Sequence, residues 1–261
     1  MKNLITISVV SFFTLFGSCQ IKEESAVVQK KGFTFPIIID TTKFKVSRRE
    51  ATWRSTANYE LLYIGQWKDT IQPNYKLKYN LSFTPPLPTP LDNNFSKSDT
   101  FDLHNERTDN QTSSYYIDWL APNNYKSWQK ANLLITVDTT QRVKNDDTHV
   151  NIKEPFFDAY PVLIENKDLD TITIAYGNFV PLITEAKDST GNWRPIEERW
   201  IYGCGNGVGS VILPPQEIAL SATMIYHGIY KTTLRLRIDS VFSNEFNGQI
   251  NYRQFKSRFN E

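Results

Sequence analysis

Cysteine is almost missing from this chain: Cys19 and Cys204 are its two thiols among 261 residues. A small disulfide-stapled fold is thereby excluded. Stability has to come from buried core, which a chain of this length can supply as one large β-domain or two smaller ones. Histidine is as scarce, and His104, His149 and His227 are scattered without the short spacings of a metal site, so no metal is expected. Charge of one sign is not in excess either, with 29 Lys and Arg against 28 Asp and Glu. Nucleic-acid binders depend on clustered cations that neutralise phosphates, so no nucleic-acid partner is expected. After residue 19 no apolar run approaches the roughly 20 residues of a membrane-crossing helix. Glycine is sparse at 11, whereas Tyr and Phe number 13 and 16. Such a mix suits pleated, half-buried strands.

The first residues have the three parts of a secretory signal: a positive start at Met1-Lys2-Asn3, an apolar run from Leu4 to Leu15, and small residues at Gly17-Ser18. Phe16-Gly17-Ser18-Cys19 resembles the lipobox of bacterial lipoproteins, departing from its usual pattern only at Phe16. The resemblance implies a signal peptide over 1–18, cleavage before Cys19, lipidation of that thiol and a membrane as partner through the lipid. Acyl chains contribute about 0.8 kcal/mol per buried methylene, and two chains suffice for stable anchoring. Gln20-Ile21-Lys22-Glu23-Glu24 is similar to the stretch that Bacteroidetes-type surface lipoproteins carry after the cysteine. That likeness implies an outer-membrane protein facing the cell surface, with 19–32 as a lipidated tether. Lipidation would leave Cys204 without an intrachain disulfide partner. Removing the signal takes away Lys2 alone among charged residues, so 28 basic and 28 acidic side chains remain.

Beyond the tether the pattern is one of strands. Phe33–Ile39 reads as the first. Tyr75, Leu77, Tyr79, Leu81 and Phe83 then alternate with polar residues, a period of two that puts one face in a core. Prolines over 84–90 stop that run, and 91–114 reads as a long polar loop. Further strands are expected at 115–119, 133–137, 161–165, 171–176, 193–202, 211–213, 218–226 and 234–238, with a hairpin turn at Asp188–Asn192. Residues 124–133 are the one candidate for a short helix. The expectation is an all-β protein built from antiparallel β-sandwiches, two in number: an N-terminal β-domain over 33–152 and a C-terminal sandwich over 153–261, divided by the polar stretch Lys144–Asn151. The segments 191–197, 213–217, 230–237 and 243–246 resemble the closing half of immunoglobulin-like and fibronectin-like domains.

Candidate chemistry is thin. Gly203–Gly209 is glycine-rich, but a phosphate-cradling loop needs a following helix, and Val211-Ile212-Leu213 and two prolines come next. Cys204 with His227 would make a nucleophile and base if the fold joined them. Asn145-Asp146-Asp147 lacks the ligand spacing of a calcium loop and reads as a solvated acidic turn. Glu197 and Glu198 are adjacent, so on a strand they point to opposite faces and make a poor paired-carboxylate site. No catalytic residue and no cofactor is expected. Six tryptophans leave glycan binding open, with Trp53, Trp67, Trp119 and Trp128 as candidate ligand faces provided that two or more are exposed together. Six tripeptides, among them Asp40-Thr41-Thr42, Asp138-Thr139-Thr140 and Asp188-Ser189-Thr190, look like O-glycosylation acceptors of Bacteroidetes-type exported proteins, and Asp-Thr and Asp-Ser are also common turn openers. The sequence thus predicts a non-enzymatic binding or scaffold module on a lipid anchor, its partner an unnamed protein or glycan, with a glycan-binding lipoprotein as the alternative and a Cys204–His227 hydrolase behind both.

Overall fold

The computed structural model describes residues 34–77, 113–117, 124–146, 156–177, 179–199 and 208–257. By contacts the chain divides into Met1–Thr34 and Phe35–Glu261, and every described strand lies in the second unit. The fold is mostly β: nineteen strands and three single-turn 3-10 helices among the described residues. The strands form five sheets, and two sheets curl into half-barrels.

The largest sheet is built on β10 (Phe156–Asn166) and β16 (Ile218–Met224), antiparallel with Val162 opposite Ser221. Both strands read as short apolar runs without alternation because both faces are covered. Val162 and Ile164 of β10 enter the main core, while Ala159 and Leu163 enter a second core with Leu62, Ile71, Val143 and Leu220. On its other side β10 pairs first with β9 (Val143–Asp146), then with β8 (Leu133–Val137). Pro161 lies in the interval between them, after the β9 pairs end at Asp158 and before the β8 pairs begin at Val162. Proline lacks the ladder donor and usually starts or breaks a strand. Here a change of neighbour tolerates it, so the strand starts five residues earlier than the sequence predicted.

A second sheet runs β13 (Trp193–Pro195), β12 (Ile183–Lys187), β17 (Tyr230–Ile238), with β18 (Val241–Phe242) and β19 (Phe246–Ile250) along the far side of β17. Leu234, Leu236 and Ile238 are buried, and Thr233, Arg235 and Arg237, which alternate with them, are half-exposed. The period-two pattern therefore becomes one core face and one wet face. Asp188 turns β12 into β13 by accepting from the backbone N–H of Thr190 and of Asn192, as expected of that cluster.

A four-stranded sheet carries β11 (Ile172–Tyr176) and β15 (Ser210–Leu213), flanked by β6 (Tyr116–Ile117) and β7 (Lys126–Ser127). The earlier part of the chain supplies mainly such short pieces: β1 (Ile37–Ile38), β2 (Val46–Ser47), β3 (Ser55–Thr56), β4 (Tyr63–Gly65) and β5 (Thr70–Ile71). Four pairings are parallel: β1 with β5, β2 with β10, β7 with β11, and β3 with β14 (Glu197–Glu198). Each is two residues long, so the pairings between the long strands are antiparallel as expected and the parallel ones are confined to these short pieces.

Other expectations need correction. Tyr75 and Lys76 lie in a turn, not a strand: the Asn74 side chain accepts from Lys76 N–H at 2.9 Å, and Leu77 N–H bonds the Asn74 carbonyl at 3.1 Å. A local side-chain acceptor competes with the ladder there. Residues 78–83 and nearly all of 91–114 lie outside the described residues. The helix candidate within 124–133 is reduced to one 3-10 turn at Trp128–Lys130. Asn145 and Asp146 are in β9 and so form no solvated turn. Three of the five sheets draw strands from both sides of residue 153.

Candidate functional site

The two main sheets meet along β8 and β18 and part beyond them. Asn244, just after β18, acts as a one-residue strand toward β8: its Oδ1 accepts from Val137 N–H at 2.7 Å and its Nδ2 donates to the Val137 carbonyl at 3.0 Å. Past this joint the chain continues as β19, and a groove of about 790 Å³ opens between the β17/β19 pair and the ends of β10 and β16. Arg142, Tyr160, His227, Lys231, Asn247 and Gln249 line it, and none of its lining residues is acidic.

The walls have definite order. The Arg142 guanidinium lies 4.3 Å from the Tyr160 ring centroid and donates to the carbonyls of Thr139 and Gln141. Tyr160 meets Phe246 edge to face at 6.0 Å. His227 is held by its backbone N–H on the Arg49 carbonyl at 3.0 Å. Burial and the neighbouring Arg48 push its imidazole below the ordinary histidine range, against the pull of Asp158 and Glu50, so it is mainly neutral at pH 7. Two glycines let the walls approach. A Cβ on Gly248 would run into the Leu234 side chain, and one on Gly228 would run into the Ile250 carbonyl.

Behind the groove wall lies a buried polar cluster. Glu197, 4% exposed, accepts from the Tyr226 hydroxyl at 2.6 Å, from the Tyr59 hydroxyl at 2.7 Å and from Thr184 N–H at 2.7 Å. Tyr226 is also within 2.7 Å of Ser55 Oγ, and it is itself a lining residue of the groove. Burial raises the Glu197 carboxyl above its ordinary value, and the three partners oppose that shift. With its acceptors engaged and its side chain buried, this carboxyl fixes Tyr226, Tyr59 and β12 in place. Glu198 turns the other way toward Arg54 at 3.4 Å, so the adjacent carboxylates occupy opposite faces as their strand position requires.

The sequence-predicted candidates scatter. Trp128 is buried in the main core against Tyr176, with no face for a ligand. Trp53 has the Arg253 guanidinium 5.5 Å from its ring, and Trp67 is 39% exposed. Trp119, Cys204 and Cys19 lie outside the described residues, as do His104 and His149. Among the described candidates, His227 reaches the groove. Asn145 is a buried structural amide, donating to the carbonyls of Asn58 and Ala222. Asp40, Asp138 and Asp188 each accept from the N–H and hydroxyl of the threonine two residues on, which is the turn-opening role of those tripeptides. Among the described residues no cluster of His, Cys, Asp and Glu could hold a metal ion, and no helix is long and apolar enough to cross a membrane.

Sequence reasoning missed Arg142, Tyr160, Lys231, Asn247 and Gln249, which belong to four separate stretches with no motif among them. A faint signal existed in 246–250, a strand without charge or proline. Comparison of the chain with protein-family models, with curated proteins and with solved structures finds no match.

Proposed function

We propose that this protein is a lipid-anchored envelope protein whose folded part is a non-enzymatic binding module, with the groove beside β19 as its ligand seat. The observation that carries the reading is the groove's lining, which offers cations, aromatic rings and amides but no carboxylate. Pockets that hold ligands combine apolar walls with a few converging polar groups. The anchor rests on Cys19 and its flanks, with the outer membrane as location and the lipid as the link to it. In this reading the C-terminal half is an immunoglobulin-like sandwich. Supporting it, Ile174, Val211 and Leu213 of one sheet share a core with Leu234, Leu236 and Ile238 of another.

Two measurements test the reading. On detergent phase separation the native protein enters the detergent phase and Cys19→Ser stays in water; a product that keeps its first eighteen residues refutes the anchor. A photocrosslinking side chain at Asn247 forms an adduct on intact cells, whereas one at Ser240, at the opposite end of β17, does not. No adduct at Asn247 removes the groove as a seat.

A further inference from the structure

The second sheet has two edges, and they are treated differently. Natural sheets guard their edges with charge, proline, bulges or brevity, because unpaired N–H and C=O groups recruit other strands. β13 conforms: it is three residues long and carries Arg194 and Pro195. β19 does not. Its five residues, Phe246-Asn247-Gly248-Gln249-Ile250, pair with β17 on one side, and among the described residues no strand lies on the other. They hold no charge and no proline, and their register with β17 runs without a shift from Tyr230–Ile250 to Leu234–Phe246. β8, the other five-residue strand with a single neighbour, has its end covered by Asn244. The unguarded edge thus belongs to the strand that walls the groove.

We propose that β19 is a docking edge, and that its occupant is an extended acidic peptide segment of a partner protein, added as a further strand in the groove. The proposal rests on the groove being the ligand seat and names what sits there. Backbone pairing on an exposed edge gives affinity without sequence demands, and flanking pockets select side chains at alternate positions. The charge of the groove selects acid: Arg142 and Lys231 are lining cations, and none of the lining residues is acidic. Asp158 and Glu50, with Arg48, act on His227 at one end of the groove, and Glu50 is bound to Arg48 at 3.4 Å. Tyr160 and Phe246 supply an apolar floor for the side chains between the acids.

The test uses the full chain in detergent and a fluorescein-labelled octapeptide of alternating valine and glutamate, followed by fluorescence polarisation. Saturable binding is expected, at least tenfold tighter than that of the same peptide with lysine in place of glutamate. Arg142→Glu with Lys231→Glu reverses the preference. Methylating the backbone nitrogens of the valines, or of the glutamates, abolishes binding for one set and is tolerated for the other, because a docked strand shows its partner alternate amides. Equal binding of the acidic and basic peptides overturns the proposal, as does equal tolerance of both methylated sets. Binding of tetragalacturonate with no binding of the peptide also overturns it, assigning the groove to an acidic glycan. A cellular adduct at Asn247 together with a failed peptide test would leave the binding module standing and remove only the acidic strand.

Discussion

Before residue 147 the described strands are mostly two residues long and none exceeds five; after residue 155 they reach eleven and nine. The later region is a frame held by backbone ladders. The earlier one is a covering joined to it by short pairings, of which β8 on β10 is the longest, and tied down by side chains. Within the covering, Asp40 gathers distant segments: its carboxylate receives Lys144 Nζ at 2.7 Å and the Tyr75 hydroxyl at 2.8 Å, and Lys144 also donates to the Thr42 carbonyl and hydroxyl. Gln141 does the same for β1, accepting from Ile38 N–H and donating to the Pro36 carbonyl. Arg54 reaches the Phe255 carbonyl at 2.6 Å, and Tyr59 reaches Glu197. Every parallel pairing involves a strand of the covering. A chain with few ladder bonds of its own can still be ordered when long polar side chains supply the partners that its backbone needs.

The largest expected effect is at the joint between the two regions. Glu197→Ala takes the shared charged acceptor from two buried hydroxyls, which keep only the Ser55 and Thr184 hydroxyls as neighbours, and from one N–H, a loss of about 3 kcal/mol at 1–3 kcal/mol per group. Urea unfolding measures it, and a loss under about 1 kcal/mol would show that the cluster does not bind covering to frame. Glu197 also sets a pH signature. Its folded pKa is raised, so its contribution is full below the ordinary carboxyl range and is lost as pH rises through the folded value; Glu197→Gln should flatten that slope.

Gly228→Ala attacks the frame directly. Its Cβ would meet the Ile250 backbone, which cannot swing aside, so about 2–3 kcal/mol is expected from overpacking. The early melting of β19 in native-state hydrogen exchange is the readout. Asp40→Asn attacks only the covering. The ion pair is largely buried, with side chains 9% and 15% exposed, and breaking it should cost about 2 kcal/mol, under the 3–5 of a fully buried pair. Exchange should quicken over 35–77 while β10 and β17 stay protected, and uniform loss across both would erase the distinction between the regions. Burial raises the Asp40 carboxyl, but its bonds from Lys144, Thr42 and Tyr75 outweigh that and hold it below the ordinary value. This contribution is therefore present above the unfolded pKa and lost as pH falls through the folded one, opposite in sign to that of Glu197. Asn244→Ala is the mildest change: two hydrogen bonds to Val137 disappear for about 1 kcal/mol, with faster exchange confined to the end of β8.

The frame was largely legible. Leu234, Leu236 and Ile238 alternate with polar residues, and the structure gives them a buried face and a wet one; 171–176 and 211–213 fall on strands almost residue for residue, as does 133–137, the longest strand of the covering. The covering was not, because its short strands carry no period long enough to read. The candidate site was hardly legible at all. Tyr160 and Lys231 look like ordinary strand residues until two sheets diverge around them, and Glu197 looks like a surface acid until Tyr59 and Tyr226 arrive from distant parts of the chain.

By itself the sequence determined that this protein builds strands and where the longest of them run, because side-chain period and turn chemistry are local properties. Only the tertiary structure decided which edge stays open, which cations share a groove and which carboxyl is buried. Those depend on how sheets far apart in the chain meet, and no residue carries that information alone.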